Sequence, residues 1–157
     1  MKKLVVFSDS HGTASPLQDV VFDEKPDHIL FLGDGWNDSE ELSLAFPEIP
    51  LLRVPGNCDY QAGRQPERLV KLYGKKIFMC HGHTLHVKSG LEELIAEGHL
   101  LGADIALYGH THRGYCNIDR GMWVMNPGSM NRYERQTYGL ITIEGDRVYC
   151  QIKRYER

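Results

Sequence analysis

The sequence predicts an α/β fold in which mixed β-sheets pack face to face, flanked by helices, and three observations predict it. The first third of the chain repeats an apolar run, a turn and a helix-like segment, which is the pattern of βαβ units with parallel strands. From Arg68 onward the pattern changes to short strands joined by tight turns, as in antiparallel pairing. Several apolar runs end directly in an acid or histidine cluster, so the polar residues sit at strand ends, where open α/β sheets carry their chemistry.

Taken in order, Lys3 to Phe7 is a strand running into Ser8-Asp9-Ser10-His11-Gly12. Ser15-Pro16-Leu17-Gln18 then offers an N-cap, a Pro at N1 and a capping-box Gln. His28 to Leu32 is a second buried strand closed by Gly33-Asp34-Gly35, and Asp38 with Glu41 forms a capping box for a helix that stops before Pro47. Leu51 to Val54 is a third strand, ending at Pro55-Gly56-Asn57-Cys58-Asp59. Arg68 to Tyr73 and Lys76 to Cys80 form a hairpin about Gly74-Lys75, whose second strand delivers His81-Gly82-His83. Ser89 and Glu92 make another capping box, followed by a helical stripe of Leu91, Leu94, Ile95 and Leu101 that Gly98 interrupts and Gly102 closes. Asp104 to Tyr108 is a strand ending in Gly109-His110-Thr111-His112. Residues 114–119, 122–125, 138–143 and 147–154 read as antiparallel strands, with Asn126-Pro127-Gly128-Ser129 among their turns.

Composition narrows the function classes. With 157 residues, 41% hydrophobic and 25% charged, the chain fits one domain over residues 1–157. A net charge of -3 without a basic stripe argues against a long nucleic acid as partner. No run of eighteen apolar residues exists, and Met1-Lys2-Lys3 leads straight into a strand, so neither a membrane partner nor export is expected. Cys58, Cys80, Cys116 and Cys150 lack paired spacing, which suits reduced thiols and a cytoplasmic location.

Five of the eight histidines fall inside the clusters. In an extended segment residues i and i+2 face one side, so Asp9 with His11, and His110 with His112, would each aim two ligands at one pocket. Two divalent ions about 3.5–4 Å apart need a shared ligand, and a carboxylate bridges where a neutral imidazole does not. Asp34, alone after its strand, is the candidate bridge. A mixture of imidazole, carboxylate and amide oxygen suits Mn, Fe, Zn, Co or Ni better than calcium. Asp9-Ser10-His11 alone reads as a turn and helix entry, and Gly33-Asp34-Gly35 and Gly56-Asn57 are ordinary turn signals, whereas His110 and His112 after a buried strand have few structural reasons to be there. Their joint order reverses those separate odds.

Asp9-x-His11, Gly33-Asp34, Gly56-Asn57, His81-Gly82-His83 and Gly109-His110-Thr111-His112, in this order, resemble the calcineurin-like metallophosphoesterase superfamily. The small size, Gly56-Asn57-Cys58-Asp59 and Asn126-Pro127-Gly128-Ser129 are similar to its compact bacterial and archaeal phosphodiesterases of the YfcE type. The resemblance implies one metal on Asp9, His11, Asp34 and His112, and a second on Asp34, Asn57, His81 and His110. It also implies phosphodiester hydrolysis by in-line attack of a hydroxide bridging the two ions, with Mn as the first choice of metal. The alternative it implies is a scaffold without turnover, like the related subunit of the retromer coat. A small phosphodiester is the expected partner, with a homodimer as the expected assembly.

Many members of the superfamily carry His after the motif Asn, whereas this chain has Cys58. A thiol is a poorer proton donor at neutral pH than an imidazolium, so good leaving groups are expected to be preferred. Asp34, Asn57, Cys58 and His83 are the candidate catalytic residues, His83 either as a phosphate contact or as a donor to a metal ligand. His28, His86 and His99 are expected to be structural or surface residues. Trp36 is a better candidate than Trp123 for a substrate wall, because it follows Asp34 closely. Loops 35–39, 60–67 and 130–136 are expected to shape the substrate pocket.

Overall fold

A computed structural model describes residues 1–60 and 65–156. The first parallel unit is β1 (Lys2–Phe7), α1 (Ser15–Glu24), β2 (His28–Phe31), α2 (Trp36–Ala45) and β3 (Leu51–Arg53). Next come the hairpin β4 (Glu67–Leu72) and β5 (Lys75–Cys80), α3 (Glu92–Leu100) and β6 (Ile105–Leu107). The chain ends in β7 (Tyr115–Asp119), β8 (Met122–Asn126), β9 (Thr137–Glu144) and β10 (Arg147–Arg154). Two five-stranded sheets result, ordered β10-β9-β1-β2-β3 and β4-β5-β6-β8-β7. Both are mixed, as expected: β1 is parallel to β2 and antiparallel to β9, while β6 is parallel to both β5 and β8. The last quarter is thus not wholly antiparallel, because β8 pairs antiparallel with β7 alone.

The strand sequences read as unbroken apolar runs because both faces of each central strand are covered. Leu4, Val6, Leu30 and Leu32 meet Ile77, Met79, Ile105, Leu107 and Met125 of the other sheet in a core between the sheets. The alternate residues Val5, Phe7, Ile29 and Phe31 pack outward on Leu17, Val20 and Val21 of α1 and Leu42 of α2. On the far side, Phe78, Cys80, Ala106 and Val124 pack around Leu94 of α3. The layers therefore run helix, sheet, sheet, helix. Each fully buried Leu, Ile or Phe contributes about 1.5–3 kcal/mol, so strand residues with two buried faces hold most of the architecture. No helix is long and apolar enough to cross a membrane among the described residues.

The three expected capping boxes do not form. Ser15 is already the first residue of α1, behind Ala14, and no side chain caps that end. Asp38 lies inside α2, which begins two residues earlier, and α3 begins after Leu91 without a side-chain cap. Gly98 does not break α3, because a Cβ there would lie 2.7 Å from the Met122 sulfur, and the missing side chain lets helix and sheet approach. The helix closes at Leu101, with Gly102 following at φ 69 in the left-handed region.

Candidate metal centre

The ends of β1, β2, β5 and β6 and the loop after β3 converge on one edge of the two-sheet core. Asp9, Asp34 and His81 are buried there, while His11, His110 and His112 are more open. The expected extended i and i+2 geometry is not how the pairs converge. Asp9, His11, Asp34, His110 and His112 all have positive φ, at 57, 46, 59, 70 and 63. Left-handed backbone in five non-glycine residues at one place costs about 1–3 kcal/mol each, and such strain persists where the surroundings force it. As a consequence His110 and His112 diverge. His112 joins Asp9 and His11, whereas His110 joins Asp34 and His81, each trio having ligand atoms within 4.8 Å of one another.

The two trios adjoin. Asp34 Oδ2 lies 3.2 Å from His81 Nε2 and 3.8 Å from His11 Nε2, so this carboxylate stands between them. Its other oxygen accepts a hydrogen bond of 2.8 Å from the Cys58 amide. The approach of these loops is steric: a Cβ on Gly33, at φ 104, would lie 2.4 Å from the Gly56 nitrogen, and one on Gly56 would lie 2.1 Å from Asp34 Oδ1. Both positions require glycine.

Supporting bonds fix the ring nitrogens. His81 Nδ1 donates to the Leu32 carbonyl at 2.8 Å, leaving Nε2 for the cluster. His112 Nδ1 is 2.7 Å from Glu134 Oε1, which is also 3.0 Å from the Ser129 hydroxyl. Ser129 Oγ is in turn 3.0 Å from the Asp9 carbonyl, and Asn126 donates to the Gly109 carbonyl at 3.1 Å and the Thr111 hydroxyl at 2.9 Å. The Asn126–Ser129 turn thus braces two of the site loops. Asp9 Oδ2 accepts from the Ser8 hydroxyl at 2.6 Å and the His110 amide at 3.0 Å.

Electrostatically the cluster is an excess of acceptors. Burial opposes ionisation of Asp9, yet His11, His112, His81 and the Ser8 hydroxyl outweigh it and hold its carboxyl well below the usual carboxylate range. Asp34 is likewise lowered, with the neighbouring His81 overcoming burial. The Asp9 contact, helped by Glu134, pushes His112 up to about 9. His110 moves the other way, lowered by burial and by His81 and Lys88.

A cation fits this donor set. Asp9 Oδ1 is buried without a hydrogen-bond partner among the described residues, 3.3 Å from His112 Nε2 and 3.7 Å from Nε2 of both His11 and His81. The His11 and His112 Nε2 atoms are 3.4 Å apart, and His110 Nδ1 is 3.3 Å from His81 Nε2. A carboxylate oxygen ringed by imidazole nitrogens beyond ordinary hydrogen-bond length is what divalent metal ligation would relieve.

The other sequence candidates are nearby. His83 packs against His81 and His110, with ring centroids 5.5 and 6.1 Å away, and its buried Nδ1 has no partner among the described residues. Asn57 is exposed, its amide nitrogen 3.6 Å from Cys58 Sγ. Cys58 Sγ itself lies within 4.8 Å of ligand atoms of His11 and Asp34. A cavity of about 340 Å³ opens beside them, with Trp36, Asn37 and Tyr60 on its walls. Residues 61–64 of the expected 60–67 pocket loop lie outside the described residues. Trp123 instead packs edge-on against Tyr149, and His28, His86 and His99 contact Tyr73, Glu93 and Asp119 away from the cluster. Arg53 is held by the Ser39 hydroxyl and Glu40. Sequence reasoning missed Glu134 and Ser8, which carry no motif spacing of their own.

Comparison with known proteins agrees with this geometry. A Bacillus subtilis protein named probable metallophosphoesterase YsnB is 32% identical over 91% of this chain and 85% of its own length. Phosphodiesterase YfcE of Escherichia coli K12 is 26% identical, over 83% of this chain and 80% of its own. A predicted phosphoesterase of Streptococcus pneumoniae superposes with a TM-score of 0.83 at 24% identity, covering 98% of this chain and 90% of that one. Vps29 of Chaetomium thermophilum shares the fold at a TM-score of 0.76 and 18% identity, over 98% and 96% of the two chains. The model of the calcineurin-like phosphoesterase superfamily domain matches residues 1–146, a span that contains every loop of the cluster. Fold, cluster and family model coincide, and the chain belongs to the calcineurin-like phosphoesterase superfamily.

Proposed function

We propose that the protein is a binuclear metal-dependent phosphodiesterase, and that Asp34 placed between two histidine-bearing trios is the observation that carries this reading. Asp9, His11, Asp34 and His112 would hold one ion, and Asp34, Asn57, His81 and His110 the other. Asn57 would turn its amide oxygen inward from the exposed position it occupies here. Bound there, a metal pair supplies Lewis acidity that lowers the pKa of water and takes up charge on phosphoryl oxygens. Asp9 and Asp34 keep their negative charge at any working pH, and the Glu134 and Leu32 contacts orient His112 and His81 towards that charge. His83 would donate to a phosphate oxygen or to a metal ligand.

A small phosphodiester is the substrate class, Mn the preferred ion and the cytoplasm the location, the four cysteines being free thiols. Edge strands β7 and β10 are the surfaces for a homodimer. A scaffold without turnover is the second reading, and the Vps29 fold supports it; the intact set of seven ligand residues favours the enzyme. The deciding experiment strips the protein of metal, reloads it with Mn, Ni, Zn or Mg, and follows bis-p-nitrophenyl phosphate beside p-nitrophenyl phosphate. Metal-dependent diester turnover is expected, and no turnover with two ions bound would move the assignment to the scaffold.

Cys58 then sets the leaving-group preference. A thiol at this position is a poorer proton donor at neutral pH than an imidazolium. Cys58→His is expected to raise the rate on an alkyl phosphodiester by about tenfold or more while changing the bis-p-nitrophenyl rate little. An unchanged or reduced alkyl rate would remove Cys58 from proton transfer.

A further inference from the structure

We infer that the cavity beside the cluster is a subsite for a planar aromatic substituent of the phosphodiester, with Trp36 as its stacking wall. This rests on the phosphodiesterase reading and specifies its substrate. The cavity, about 340 Å³, is continuous with His11 and Asp34 and has room for one ring and its linking oxygen.

Trp36 is held before any ligand arrives. Arg53 lies over one indole face, its guanidinium carbon 3.7 Å from the ring centroid. That guanidinium is fixed by the Ser39 hydroxyl at 2.8 Å and by Glu40. Trp36 lines both this cavity and the neighbouring groove, whereas Arg53 lines only the groove, with Arg68. At its backbone, the Trp36 amide donates to Asp59 at 3.2 Å. An aromatic wall immobilised in advance costs little ordering entropy on binding and selects a flat π-face over an aliphatic ring of the same size.

The test compares binding of two probes, the phenyl and cyclohexyl esters of methylphosphonate, to the full chain loaded with Mn, read by stopped-flow before their P–O bonds can turn over. Trp123→Phe leaves Trp36 as the sole tryptophan, so its emission reports binding independently of turnover. The phenyl ester is expected to bind about fivefold more tightly than the cyclohexyl ester and to shift Trp36 emission. In inhibition of diester hydrolysis that ratio should fall to about one in Trp36→Leu and survive in Trp36→Phe. A ratio unchanged in Trp36→Leu, or no phenyl preference in the native chain, would overturn the subsite even where hydrolysis proceeds normally. Absence of hydrolysis with any ion would instead strike the phosphodiesterase reading, and the emission measurement would still decide whether Trp36 receives the ring.

Discussion

Asp34→Asn is expected to lower metal-dependent diester hydrolysis by about a thousandfold or more, the scale seen when one preorganised electrostatic contact to a reacting centre is lost. The substitution is nearly isosteric. The retained amide oxygen can still accept the 2.8 Å hydrogen bond from the Cys58 amide, so the loop after β3 keeps its anchor. The other position changes from a carboxylate oxygen to an NH₂ group facing His81 Nε2 at 3.2 Å and His11 Nε2 at 3.8 Å. A donor there can bond an imidazole nitrogen but cannot bind a cation, and one carboxylate fewer remains to hold two ions. Titration with Mn should therefore show the stoichiometry drop from two ions to one. The thermal midpoint of the metal-free protein should fall by about 2–4 °C, because His81 holds the Asp34 carboxyl below its ordinary range and that favourable charge interaction is lost. Two tightly held ions and full activity in Asp34→Asn would refute a shared carboxylate.

What was legible in the sequence divides by the range of the interaction. The strands of both sheets were legible because Leu4 to Phe7 and Ile29 to Phe31 must be apolar on both faces, and an unbroken apolar run survives any tertiary context. Joint order made the cluster residues legible too, since Asp9, His11, Asp34, His81, His110 and His112 do come together. Their mode of convergence was not. Side-chain alternation assumes extended backbone, and positive φ at Asp9, His11, His110 and His112 replaces alternation with left-handed turns that split His110 from His112. The helix caps failed for a related reason. A capping box is a local pattern, and at α2 a distant carboxylate outcompetes it. Asp38, expected to cap its own helix, instead accepts the Ser10 hydroxyl at 2.5 Å and the Gly12 amide at 2.8 Å, tying α2 to the loop of Asp9 and His11. Glu134 was invisible because its partner is 22 residues away in a loop with no periodicity.

The carboxylate that takes over at α2 supports the other large expected effect. Asp59 Oδ2 accepts the amides of Asp34 at 2.7 Å and Gly56 at 2.8 Å, and its Oδ1 accepts those of Gly35 and Trp36, both at 3.2 Å. Four backbone donors on two loops and the first turn of α2 thus end on one side chain, in the position that suits a negative charge at a helix N-terminus. In Asp59→Ala all four lose that partner at once. Part of the site is open to water, which limits the penalty, and a loss of about 2–4 kcal/mol is expected from charge-assisted bonds of this kind. The corresponding fall in thermal midpoint is about 6–12 °C for a chain of this size. Asp59→Asn, with a single acceptor oxygen, should recover roughly half of it. The same change should loosen Asp34 relative to His81 and weaken Mn binding by about 10–100-fold, the usual consequence of removing a residue that orients a ligand. Calorimetry on the metal-free protein and Mn titration separate the two effects. A midpoint within about 2 °C of the native value would show that water replaces Asp59 at these amides without cost, and the loop of Asp34 would then need another source of its rigidity.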